Sequence, residues 1–190
     1  MCAWSSIRIA NGPRASAIPE PVRAEPRSVS SRRLGVRVSL AEQRLDLLRG
    51  DSVWKSYAVS TSKNGAGERN GSQMTPRGRH VIRAKVGAGA PLGAVFRGRR
   101  PTGEIYSEAL ARAQPGSDWI LTRILWLSGL EVGKNRLGDV DTMRRYIYIH
   151  GTPDSTELGV PGSIGCIRMA NAAIVEFFDL VPAGTPVEIA

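Results

Sequence analysis

Short runs of Val, Ile, Thr and Tyr, each soon cut off by glycine or proline, limit what this chain can fold into. With 21 Gly and 12 Pro in 190 residues, the pattern is one of strands joined by turns. An apolar share of 42% suits one globular unit, and there is no internal repeat. "RRYIYIHG", residues 144–151, is the clearest strand, ending at His150 and made of residues that suit a pleated, half-buried surface. Upstream, Val36, Val38 and Leu40 alternate, followed by Leu45 and Leu47 and then by Val53, Tyr57 and Val59. That spacing predicts a meander of three strands.

A polar loop with four glycines, residues 63–79, comes next, and then short strands in "HVIRAKVG" and "LGAVFRG". The apolar run "DWILTRILWLSG" is expected to form a strand pair. Asn171 is placed to cap a helix through residues 172–181, whose Ile174, Phe178 and Val181 make one apolar face. Pro182 and Gly184 end it, and "TPVEIA" closes as a strand. The expected class is mainly β, a single sandwich-like domain with one helix after the cysteine motif. Residues 87–118 read as a long Gly- and Arg-rich excursion, with Arg97, Arg99, Arg100 and Tyr106 as candidate groove contacts. Residues 1–33, rich in Pro, Ser, Arg and Ala without period, read as a flexible basic tail before a domain at 34–190.

The 26 Lys and Arg exceed the 17 Asp and Glu, giving a net charge of +9. Such a surplus favours an anionic partner, including a cell-wall polymer. The basic residues are scattered, without a lysine-rich helix, zinc-knuckle spacing or aromatic RNA-binding signature, so nucleic acid is not expected. No run approaches the roughly 20 apolar residues of a membrane span. The first residues lack a continuous apolar core of roughly 7–15 residues, so no signal peptide is visible. No oligomeric state is read from the sequence.

One of two histidines and one of two cysteines meet in "HGTPDSTELGVPGSIGCIRMAN", residues 150–171. A cysteine nucleophile needs a base to take its proton and backbone N–H groups aimed at the oxyanion that forms. His150 at a strand tip supplies the base, and Gly165 lets the backbone bend before Cys166. The thiol of such a pair is expected to be more nucleophilic near neutral pH than a free cysteine. The amides of Gly165 and Cys166 are the candidate oxyanion donors, Arg168 and Gly151 are candidate substrate-binding positions, and Ser163 by itself reads as a turn residue. Arg168 has two readings: a grip on a substrate carboxylate, or a structural ion pair. His80 is remote, and no metal or cofactor is expected.

The motif "IHGT…SIGCIRM" resembles the signature of the L,D-transpeptidase (YkuD-type) family. "TPRGRHVI", residues 75–82, is similar to that family's Thr-Pro-x-Gly element, "YAVSTSKNG" to the strand and turn before it, and "FFDLVPAGTPVEI" to its closing helix and strand. The resemblance runs from about residue 34 to the C-terminus. It implies Cys166 as nucleophile, His150 as base, and Ser163, Gly165 and Arg168 as signature positions. Ile164 stands where many members carry histidine.

What the resemblance implies is acyl transfer on peptidoglycan stem peptides, in the periplasm or cell envelope. The carbonyl of diaminopimelate would be attacked and the terminal D-Ala expelled. The acceptor would be an amine of a second stem, giving a 3→3 cross-link, or a lysine of an envelope lipoprotein. Two alternatives remain open at this point: an L,D-carboxypeptidase or hydrolase using the same site with water, and a non-catalytic wall-binding module.

Overall fold

The computed structural model describes residues 33–190; the expectation of a tail over residues 1–33 falls, but for its last residue, outside the described residues. The meander is as the alternation predicts: β1 (Leu34–Ser39), β2 (Arg44–Arg49) and β3 (Ser52–Ala58) pair antiparallel in sequence. Val36, Val38, Leu45 and Leu47 point inward and are buried. After the polar loop come β4 (Gly78–Val86), β5 (Ala94–Arg97) and β6 (Arg100–Ile105), then a short helix α1 (Glu108–Ala113). The long β7 (Ile120–Gly129) leads to β8 (Tyr148–Thr152) and β9 (Ile167–Ala170), and the chain ends in α2 (Asn171–Leu180) and β10 (Pro186–Ile189).

All ten strands belong to one mixed sheet in the order β3-β2-β1-β10-β4-β7-β5-β6, with β8 on the other edge of β7 and β9 beyond β8. The sheet curls on itself. Just past β3, Ser60 exchanges backbone hydrogen bonds of 3.0 and 2.9 Å with Arg168 of β9, so the two far ends meet. Inside the curl the principal core gathers Leu45, Leu47, Ile82, Leu127, Ile149 and Ile167, covered by Ile174, Phe177 and Phe178 of α2. Burying a Leu, Ile or Phe side chain is worth about 1.5–3 kcal/mol, so this closed layer outweighs any local propensity in fixing the fold. Among the described residues, no helix is long and apolar enough to cross a membrane.

Four local expectations are corrected. The run 118–129 is one strand rather than a pair: Thr122 adopts φ +67° and opens a bulge opposite β8, which lets a ten-residue strand turn between neighbours. The strand in "RRYIYIHG" starts at Tyr148 and runs past His150 to Thr152, because Arg144 and Tyr146 are held in a turn by Asp141 and Met143. His150 therefore lies within a strand, not at its tip. The excursion after Val86 carries the strand expected in "LGAVFRG" as β5, but the remainder is not loop: it adds β6, which pairs with β5 as a hairpin, and α1. Asn171 opens α2 without capping it; its amide donates instead to Thr152 O at 2.8 Å and its carbonyl accepts from Thr122 Oγ1 at 2.5 Å.

Candidate active site

β8 and β9 run parallel, with Ile149 opposite Ile167 and His150 opposite Arg168. Side chains alternate across a strand, so Tyr148 and His150 share one face with Cys166 and Arg168, while Ile149, Ile167 and Met169 go to the core. The parallel pairing thus brings the two motif residues to one side of the sheet. Cys166, a free thiol, lines an open cavity of about 500 Å³ with Arg99, Asp118, Arg145, Tyr146 and Ile164 among its walls.

The turn that presents Cys166 is braced from several directions. Gly165 has φ +130°, a backbone region that side-chain-bearing residues rarely adopt, and a Cβ there would stand 3.2 Å from Ile147 Cδ1. Its carbonyl accepts from Thr75 Oγ1 at 3.0 Å, which is how the Thr-Pro segment supports the cysteine motif. Ser163 Oγ donates to Cys166 O at 2.6 Å and accepts from Gly165 N–H at 3.2 Å. Gly165→Ala is therefore expected to cost about 1–3 kcal/mol, read as a lower midpoint in denaturant unfolding; an unchanged midpoint would show that the turn relaxes freely.

These contacts revise the expected oxyanion set. The Gly165 amide is spent on Ser163 Oγ, which leaves the Cys166 amide as the motif's remaining donor. Ser163 is buried behind the turn and acts by shaping it. Gly151 does not reach the cavity either. It is packed so closely that a Cβ would meet Asn171 Oδ1 at 2.6 Å and Leu121 O at 2.7 Å. Its carbonyl accepts from His150 Nδ1 at 2.8 Å.

That last bond fixes the tautomer. A carbonyl can only accept, so Nδ1 carries the hydrogen of neutral His150 and Nε2 carries the lone pair. Nε2 is buried and has no hydrogen-bond partner. Burial holds His150 below the ordinary imidazole value, against the Gly151 hydrogen bond and the charge of Asp118. Burial likewise pushes the Cys166 thiol up, to about 12, against the hydrogen bond it accepts from Tyr148 N–H. The same two charges, Asp118 and Arg168, act on both groups.

Burial thus favours the neutral forms of both thiol and imidazole, against the direction of the expected thiol activation. Geometry agrees: Cys166 Sγ accepts from Tyr148 N–H at 3.4 Å and donates to Tyr146 O at 3.5 Å, with no hydrogen bond to His150.

Arg168 is drawn away from the cavity's centre. It donates to Asp118 Oδ1 at 2.5 Å and to Gly162 O at 3.1 Å, and the pair is mostly buried. Asp118 is the residue that sequence reasoning missed, since nothing in "QPGSDW" marks it. Arg168→Lys, which loses the planar fork, is expected to lower stability by about 1–2 kcal/mol and to leave KM nearly unchanged. A several-fold rise in KM without loss of melting temperature would restore the carboxylate-grip reading.

His80 is buried away from this site, its ring held by Gly78 O at 2.8 Å and Thr142 Oγ1 at 3.1 Å. Among the described residues, no group of three His, Cys, Asp or Glu is placed to hold a metal.

The L,D-transpeptidase catalytic domain family, YkuD, matches residues 34–189. A search of curated proteins finds no match. Among solved structures, an Enterococcus faecium L,D-transpeptidase is 16% identical, with 83% of this chain and 50% of that chain covered at a TM-score of 0.50. L,D-transpeptidase 3 from Mycobacterium tuberculosis is 13% identical, covering 83% of this chain and 60% of that one at a TM-score of 0.50. An L,D-transpeptidase from Xylanimonas cellulosilytica is 21% identical, covering 88% and 64%, at a TM-score of 0.49. The chain therefore spans between half and two-thirds of these proteins, and at such identities the likeness to the Enterococcus and Mycobacterium tuberculosis structures is one of fold. The curled sheet, the braced Gly-Cys turn and the family match over nearly all described residues agree, and the chain belongs to the YkuD family of L,D-transpeptidase catalytic domains.

Proposed function

We propose that residues 34–190 form a cysteine-dependent acyl transferase acting on peptidoglycan stem peptides in the cell envelope. The observation that carries this reading is the pairing of an unpartnered, buried His150 Nε2 with Cys166 on the same face of β8 and β9. Substrate carbonyl entering the cavity replaces Tyr146 O as the neighbour of Sγ, and the thiol turns toward His150. Nε2 takes the S–H proton as sulfur attacks the carbonyl carbon, so charge appears only as the reaction begins. The Cys166 amide stabilises the oxyanion. Collapse expels the terminal D-alanine as an amine, which receives the proton from His150 and leaves a thioester. An acceptor amine then attacks, gives its proton to His150, and the sulfur leaves and is reprotonated.

Buried Gly151 serves this cycle by fixing the His150 tautomer through its carbonyl. Exposed Ile164 forms an apolar lip to the cavity, a lining suited to the donor's methyl and methylene groups. The acceptor is an amine of a second stem or a lysine of an envelope lipoprotein. Incubation with a diaminopimelate-containing tetrapeptide, followed by mass spectrometry, tests the proposal. A cross-linked dimer supports it, a shortened tripeptide points to water as acceptor, and unchanged peptide with unmodified Cys166 overturns it.

A further inference from the structure

Three arginines line or flank the cavity, and two have their terminal guanidinium nitrogens held by protein acceptors, although the buried Nε of Arg168 has no partner among the described residues. Arg145 gives its guanidinium to the carbonyls of Gly67, Glu68 and Met74 and to Ser72 Oγ. Arg168 is held by Asp118 and Gly162. Arg99 differs. It sits in the two-residue turn between β5 and β6, where Gly98 and Arg99 have φ of +53° and +67°. Turns of that form favour Asn and Gly, so an arginine here carries backbone strain.

The side chain is fixed by aromatic surfaces rather than by an acid. Its guanidinium carbon lies 4.4 Å from the centre of the Trp126 ring and 4.9 Å from that of Tyr146, and one N–H donates to Tyr148 Oη at 2.9 Å. Arg99 forms no ion pair, and its other side-chain N–H groups make no hydrogen bond, among the described residues. A half-buried, oriented, uncompensated guanidinium in the wall of a reaction cavity is a seat for an anion.

Tyr148 gives the span. Its backbone N–H touches Cys166 Sγ and its hydroxyl touches Arg99, so the two sites stand about one tyrosine side chain apart. A carboxylate on the departing D-alanine is too close to the scissile carbonyl to reach across that span. A carboxylate at the end of a long side chain on the acyl residue fits it.

We propose that Arg99, positioned by Trp126, Tyr146 and Tyr148, binds the side-chain carboxylate of the acyl-donor residue and so selects acidic donors. This rests on the acyl-transfer reading above and extends it to a specificity-determining residue outside the cysteine motif. Arg168, in contrast, keeps a structural part.

The test uses two stem tetrapeptides that differ only at the third residue's side chain, one with a free carboxylate and one with its primary amide. The wild-type chain is expected to favour the carboxylate donor in kcat/KM by about tenfold to a hundredfold, chiefly through KM. Arg99→Gln is expected to collapse that ratio, and Arg99→Lys to leave an intermediate one. Equal use of both donors by the wild type, or an unchanged ratio in Arg99→Gln, overturns the assignment without need of any other variant.

Peptide binding to Cys166→Ala, by calorimetry, separates the two claims. If this variant binds the carboxylate peptide more tightly than the amide peptide, and added Arg99→Gln removes the difference, the subsite stands even where wild type turns over neither donor. If turnover occurs without that difference, the reaction stands and the subsite falls.

Discussion

Cys166→Ser is expected to lower acyl transfer by about a thousandfold or more while leaving the fold intact. A serine oxygen inherits both contacts of Sγ, the amide of Tyr148 and the carbonyl of Tyr146, so it is a satisfied residue, and stability should move by less than about 1 kcal/mol. What it loses is the weak S–H bond that a neutral imidazole can open. In the wild-type chain the same neutrality makes a second demand. Burial raises the pKa of the thiol, so iodoacetamide should label folded Cys166 at pH 7 more slowly than a free cysteine of pKa about 8.5. A carbapenem, which resembles the acyl donor of this family, should nevertheless add its mass to that residue. Fast alkylation at neutral pH would show a preformed thiolate, and full activity in Cys166→Ser would remove the thiol from the mechanism.

His150→Gln is expected to reduce kcat/KM by about 10²–10⁴-fold, since glutamine can keep a hydrogen bond to Gly151 O but cannot take a proton. The pH profile of the wild type distinguishes a base from a packing residue. Burial lowers the pKa of both His150 and His80 in the folded chain. Below the unfolded value of about 6.5, the unfolded chain therefore binds protons that the native one does not. Stability rises with pH through that region and is full above about 6.5; it falls as pH drops toward the folded values. Activity should follow a lower limb: flat through pH 7, and declining only below the ordinary histidine range as Nε2 becomes protonated. His150→Gln should lose the activity limb and retain only the share of acid sensitivity due to His80. An activity limb centred at or above pH 7 would mean that the pair rests as an ion pair.

The parts of the fold that were legible in the sequence are those where one face is buried and the other is not. Val36 and Val38, or Leu45 and Leu47, alternate because the curled sheet has an inside, and Ile174 and Phe178 recur at helical spacing because α2 covers it. β6 is exposed along its whole length and α1 buries no residue, so neither leaves a hydrophobic period to read. The end of β8 was hidden for the opposite reason. Gly151-Thr152-Pro153 has the composition of a turn, yet Gly151 is there for close approach to Leu121 and Asn171.

The site divides in the same way. Cys166, His150 and Gly165 stand in one motif and were found together. Arg99 was named among the candidate groove contacts and does line the cavity, whereas Asp118 and Arg145 reach it only through long-range packing, which no local pattern encodes. Asn171 looked like a cap because it precedes a helix, but buried polar partners on β7 and β8 claimed its amide first.

β10 has a consequence for when the protein becomes competent. It pairs parallel with β1 and antiparallel with β4, so β10 is a keystone between the meander and the rest of the sheet. Before it emerges from the ribosome, the meander and the half that bears Cys166 are separate pieces with open hydrogen-bonding edges. The seam at Ser60 and Arg168, which flanks His150 and Cys166, has only its own backbone hydrogen bonds to hold it until then. Pairings of such long sequence separation form late and slowly. Reactivity should therefore arrive in a single step once β10 is in place, with no chain lacking that strand able to acylate its cysteine.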